Sequence, residues 1–163
     1  MKVLGVDPGL RVSGYAVVAG EGNQAQVLDA GTITADAALP FARRLEQIYR
    51  DAEALLAEHG PDCLAVEELY AHYKHPRTAI LMGHARGMFL LAAARQGVAV
   101  QGFAATRIKK SLTGSGRASK QQMQQAVQSQ LGLNRLPSPA DVADALAVAV
   151  CCWGERVRER RRR

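Results

Sequence analysis

The chain alternates short apolar runs with polar breaks, and several of the breaks open on a carboxylate. Lys2-Val-Leu-Gly-Val-Asp7 is followed by Pro8-Gly9, and a second apolar run begins at Gly14 and reaches Val18. Val, Leu, Tyr and Ala on both sides of a D-P-G turn signal predict two hairpin strands, with Asp7 at the end of the first. Gln26 to Thr34 predicts a third strand that completes a meander. From Leu39 onward, Phe41, Leu45, Ile48, Tyr49, Ala52, Leu55 and Leu56 recur near helical spacing, until His59-Gly60-Pro61 stops the helix. Cys63 to Val66 then reads as a short buried strand closed by Glu67-Glu68. Helix, turn, strand is the signature of a crossover, so this strand is expected parallel to the first, with Asp7 and Glu67 leaving the same end of the sheet. Period-two alternation sends Glu67 and Glu68 to opposite faces.

After a polar loop from Ala71 to Pro76, the pattern predicts a helix over Arg77–Gln96. Its Gly83 and Gly87 lie one turn apart, a spacing that lets helices approach closely in a core or across a subunit boundary. Val98–Phe103 reads as a fifth strand. A short helix after Ala105 carries Arg107, Lys109 and Lys110, followed by Thr113-Gly-Ser-Gly-Arg117 and Ser119-Lys120. Lys120–Leu131 reads as an exposed amphipathic helix with Met123, Val127 and Leu131 inward. In the last helix Ser138 suits the N-cap, Pro139 the first helical position and Asp141 the third. The fold class is therefore α/β: a mixed five-stranded sheet, antiparallel meander plus parallel strands, flanked by helices.

Composition narrows the function classes. A chain of 163 residues, 48% hydrophobic, is expected to build one domain with a sizeable core. The expected division is a domain over 1–154 and a disordered basic tail over 155–163. No apolar segment approaches the roughly 20 residues that span a bilayer, and no leader pattern opens the chain, so a soluble, cytoplasmic protein is expected. Cys63, Cys151 and Cys152 form no C-x-x-C pair and read as small buried hydrophobes. The net charge of +6 is unevenly spread: residues 1–68 hold 11 acids and five bases, whereas residues 69–140 hold ten bases and no acid. Such a stretch argues for a polyanionic partner, above all nucleic acid.

The acids carry the candidate chemistry. Asp7 alone fits a turn opener, and Asp141 alone fits an N-terminal helix acid favoured by the dipole. Asp144 is harder to assign to structure, because it lies in a run of Ala, Val and Leu where an ionised carboxylate needs a partner or a metal. Asp141 and Asp144, at i and i+3, share a helix face. Asp7, Glu67, Asp141 and Asp144 thus form an oxygen-only constellation suited to Mg²⁺ or Mn²⁺. Two such ions roughly 4 Å apart activate a water and stabilise the leaving oxygen of a phosphodiester. A nucleotide-binding loop is rejected, since G-x-x-x-x-G-K-[ST] is absent. Acids beside a basic surface match a metal-dependent nuclease.

G-V-D-P-G-L-R-V-S-G-Y at 5–15, L-A-V-E-E-L-Y at 64–70, G-H-A-R-G at 83–87 and A-D-V-A-D-A-L-A-V-A at 140–149 give the sequence a specific resemblance. In this order and spacing it resembles the RuvC family of Holliday junction resolvases, within the RNase H-like nuclease superfamily, from Met1 to about Trp153. The resemblance implies that Asp7, Glu67, Asp141 and Asp144 are catalytic and metal-holding, and selects Glu67 over Glu68. It also implies base stacking by Tyr70 and functional roles for Lys109 and Lys120 near the scissile strand. Arg77, Arg107, Lys110 and Arg117 complete the expected DNA-binding set. The implied protein is a Mg²⁺-dependent homodimer that nicks four-way DNA junctions symmetrically and works with the RuvA and RuvB branch-migration proteins. Its two-fold symmetry would match that of the junction, with the Gly83–Gly87 helix as the subunit contact. Rival readings are an actin-like ATPase, which needs two such domains, a non-catalytic junction-binding protein, and a related nuclease acting on another nucleic acid.

Overall fold

The computed structural model describes residues 1–21, 24–69 and 76–160, without the side chain of Arg160. Strands β1 (Lys2–Asp7), β2 (Val12–Glu21) and β3 (Gln24–Thr34) form the expected meander. The crossover helix α1 (Phe41–His59) leads to β4 (Cys63–Glu67), and α2 (Pro76–Arg95) leads to β5 (Ala99–Phe103). Three helices follow: α3 (Ala105–Thr113), α4 (Lys120–Leu131) and α5 (Ala140–Arg160). The sheet order is β3-β2-β1-β4-β5, with the meander antiparallel and β1, β4 and β5 mutually parallel.

Strand alternation divides the core between the two faces of this sheet. Val3, Ala16, Val18, Ala65 and Phe103 turn toward α5, with α3 and α4 beside it, and bury Leu146, Val150 and Trp153. Leu4, Val6, Val17, Leu64 and Val66 turn the other way and meet Ile48, Leu56, Ala85 and Phe89 of α1 and α2. Each fully buried side chain of this kind contributes roughly 1.5–3 kcal/mol, so both helical layers are firmly held. Cys63, Cys151 and Cys152 are free and buried, as small hydrophobes would be.

Three local features differ from the sequence pattern. The turn after Asp7 is shorter than expected, with β2 beginning at Val12, and buried Ser13 closes it by accepting from Gly9 N–H and donating to Gly9 O, both at 2.9 Å. Helix α5 starts at Ala140, and Ala143 N–H donates to the Pro139 carbonyl, so proline precedes the first helical residue instead of occupying it. The segment from Glu155 to Arg160, expected as tail, continues α5. Its anchor is tertiary: Arg107 grips Glu155 with two hydrogen bonds at 2.7 and 2.6 Å, which a helical reading of either segment alone does not reveal.

Candidate active site

Asp7 is the hub of the site, and sheet geometry puts Glu67 beside it. Parallel β1 and β4 run in register with Val6 opposite Val66, so the next residue on each strand is a carboxylate at the same sheet end. On the other side of β1, Asp7 is paired with Gly14 of β2. That glycine matters because α5 crosses here: a Cβ at Gly14 would lie 1.9 Å from the Asp141 carbonyl oxygen. Gly5 does the same one step back, where a Cβ would lie 2.4 Å from the Ala145 carbonyl oxygen. Two side-chain-free positions let the first turns of α5 settle directly on the sheet, which brings Asp141 and Asp144 to Asp7.

The electrostatics record this gathering. Burial first, and then the like charges of Asp144, Asp141 and Glu67, push the Asp7 carboxyl up to about 7, against a smaller opposing pull from Lys120. Glu67 is raised by burial and by Asp144, and lowered by Lys109. Both effects follow from a carboxylate in low dielectric among like charges. Asp144 differs from expectation. Its side chain is 44% exposed and lies 3.4 Å from the Lys120 Nζ, because its position on α5 faces the rim of the cleft and not the core. A cavity of about 250 Å³ opens at this rim, lined by Glu67, Lys109, Lys120, Met123 and Asp144 among others.

The residues expected to contact DNA separate into groups. Lys109 and Lys120 line the cavity with the acids, Lys120 as the first residue of α4. That helix start is held by a capping box between Ser119 and Gln122, a signal present in the sequence as S-x-x-Q. Lys110, Arg117 and Arg77 are exposed, Arg77 at the start of α2. The Arg107 fork is occupied by Glu155, and its guanidinium lies 5.3 Å from the centre of the Phe103 ring. Its closest engagement is thus within the fold. Tyr70 lies outside the described residues. Arg86 stands in the G-H-A-R-G stretch, where the sequence pattern assigns it no role. Its Nε donates to the Glu67 carbonyl at 3.2 Å.

Among the described residues no three His, Cys, Asp or Glu side chains close into a ready-made ligand cage. The donor chemistry nevertheless fits a hard divalent cation. Four carboxylates supply only oxygen donors, and burial followed by the like charge of the other three raises Asp7 to about 7.

The chain is similar to proteins of known function. A family model described as crossover junction endodeoxyribonuclease RuvC matches residues 3–152. A protein of that name from Rhodopirellula baltica is 48% identical over 149 residues, covering 91% of this chain and 84% of its own. One from Alkaliphilus oremlandii is 43% identical over 151 residues, covering 93% and 92%. The solved structure of T. thermophilus RuvC in complex with a Holliday junction substrate superposes with a TM-score of 0.91 at 32% identity, covering 98% of this chain and 96% of that one. A yeast mitochondrial Holliday junction resolvase, at 12% identity and a TM-score of 0.67 with 98% and 83% covered, shares the fold.

Proposed function

The chain belongs to the RuvC family of crossover junction endodeoxyribonucleases, which are metal-dependent nucleases, and on that premise we propose that it resolves four-way DNA junctions by nicking two symmetric strands. The observation that carries the reading is the convergence of Asp7, Glu67, Asp141 and Asp144 on one sheet end, beside Lys109 and Lys120.

In this reading the four carboxylates hold the metal, Mg²⁺ with two ions per site and Mn²⁺ able to replace it. Bound there, divalent cations lower the pKa of a water and stabilise negative charge on the departing oxygen. The chain's own residues do the rest. Asp7 and Glu67, at the ends of rigid strands, fix the donor positions. Lys120 can exchange its Asp144 partner for a phosphate oxygen of the scissile strand, and Lys109 offsets the charge at Glu67. Water attacks phosphorus, the P–O3′ bond breaks, and the 3′ oxygen leaves as a hydroxyl, giving 5′-phosphate and 3′-hydroxyl ends. Arg77, Lys110 and Arg117 hold the backbone by charge, with Arg107 able to join them by giving up Glu155, and Tyr70 stacks on bases.

The protein acts as a homodimer through α2. Ile80 and Leu91 on this helix are 61% and 48% exposed, and a Cβ at Gly83 or Gly87 would meet nothing within 4 Å. The small residues are therefore not needed for packing inside one subunit. RuvA and RuvB as partners, and a cytoplasmic location beside the DNA, rest on the family resemblance. No described helix is long and apolar enough to cross a membrane.

The test is a mobile synthetic four-way junction and a matching linear duplex, each with Mg²⁺ and with chelator. Paired nicks on the junction alone, dependent on metal and on Asp7, are expected. Tight junction binding without cleavage under several metals and core sequences would leave a binding protein.

A further inference from the structure

The end of β4 presents a backbone acceptor that the sheet does not satisfy. Glu68 N–H donates to the Phe103 carbonyl of β5 at 2.9 Å. By strand alternation the Glu67 carbonyl then faces the opposite neighbour, β1. There the ladder has run out, because β1 ends at Asp7 and the next residue is Pro8, which has no N–H. A partly buried backbone carbonyl needs a donor. Arg86 supplies it, its Nε lying 3.2 Å from the Glu67 oxygen. The arginine is itself well placed, since Ala85 and Phe89 beside it on α2 are fully buried against the sheet.

We propose that Arg86 is a positioning residue: it takes the place of the missing strand partner at the end of β4 and so fixes the backbone from which the Glu67 carboxylate projects. The proposal deepens, and rests on, the reading of Glu67 as a metal-holding acid. Side chains that support metal-holding groups in this way typically matter by about 10–100-fold. Arginine suits the task because its Nε–H points along a planar, rigid group, whereas lysine offers a mobile point donor from the same helix position.

The experiment compares wild type, Arg86→Met and Arg86→Lys as full-length proteins. Four readouts are taken: amide hydrogen exchange over residues 67–69, single-turnover junction cleavage against Mg²⁺, junction affinity in chelator, and oligomeric state. In Arg86→Met the exchange is expected to accelerate about tenfold, cleavage to fall about 10–100-fold, and the Mg²⁺ needed for half-maximal cleavage to rise. Junction affinity and subunit pairing should stay within about twofold of wild type, and lysine should recover part of both losses. Unchanged exchange overturns the proposal. Affinity that falls in step with cleavage also overturns it, making Arg86 a DNA contact, as does loss of pairing, which makes it a subunit contact. A wild type that binds junctions but cleaves none overturns the nuclease reading instead. The exchange result then decides the positioning role by itself.

Discussion

Asp7 and Glu67 leave the sheet at neighbouring strand ends, whereas Asp141 and Asp144 ride on a helix that rests on it. The strand acids stand at the end of a hydrogen-bond ladder, where burial and then neighbouring like charge raise both in pKa. The helix acids are held at a distance set by two glycines, and Asp144 is nearly half exposed with a lysine for company. The fold thus divides the placing of four charges between two kinds of element. In the proposed reading, rigid backbone fixes two of the donors and a docked helix carries the other two to them.

The hardest blow to this division is removal of Asp7, on which the charges of the other three acids converge. Asp7→Asn should reduce junction cleavage by roughly 10³-fold or more while leaving junction binding in chelator unchanged, as expected for a group that works as part of a unit. A parallel loss of binding would mean that Asp7 shapes the DNA surface and not the chemistry. The same substitution also acts on stability. A carboxyl raised from 3.8 to about 7 binds protons more tightly in the folded than in the unfolded chain. In metal-free wild type the contribution of this carboxyl should therefore be fully present below about pH 4 and be lost as the pH rises through 7, by at most about 4 kcal/mol. Denaturant titrations of Asp7→Asn should lack this loss, and added Mg²⁺ should reverse it in wild type. A metal-free wild type whose stability is flat across that window would contradict the burial argued for the strand acids.

Next in size is the seat of the helix. Gly14→Ala puts a methyl carbon against the Asp141 carbonyl, so α5 must lift, at a cost of about 1–3 kcal/mol. Cleavage should fall more than junction affinity does. Full specific activity in the folded variant would show that the helix acids tolerate displacement. The smallest effect belongs to the rim: Lys120→Met should change thermal stability by less than about 1 kcal/mol, because its ion pair with Asp144 is exposed. A larger loss would place Asp144 among the buried, paired acids.

Much of this was legible in local pattern. Asp7 and Glu67 follow apolar runs that a crossover must make parallel, and Asp141 and Asp144 share a face by helical arithmetic. What local pattern lacked was depth and distance. Asp144 sits in an apolar run, yet a helix on a sheet has a rim, and exposure depends on where α3 and α4 leave it open. Glu155 looked like the start of a tail because its partner Arg107 is remote in sequence. Gly14 and Arg86 acquire meaning only once α5 and α2 are laid against the strands: one as a space, the other as a donor to a carbonyl that Pro8 cannot serve.

The adjacency of β1 and α5 has a consequence for the life of the chain before it is complete. Asp7 lies on β1 and Asp141 and Asp144 on α5, so in chain order every other strand of the sheet comes between the two halves of the site. A chain still on the ribosome, or cut short before Ala140, carries the strand-end half of the site and lacks the helix acids. In the proposed reading the topology acts as an interlock: a chain without α5 lacks two of the four metal-holding acids and is expected to cut no DNA.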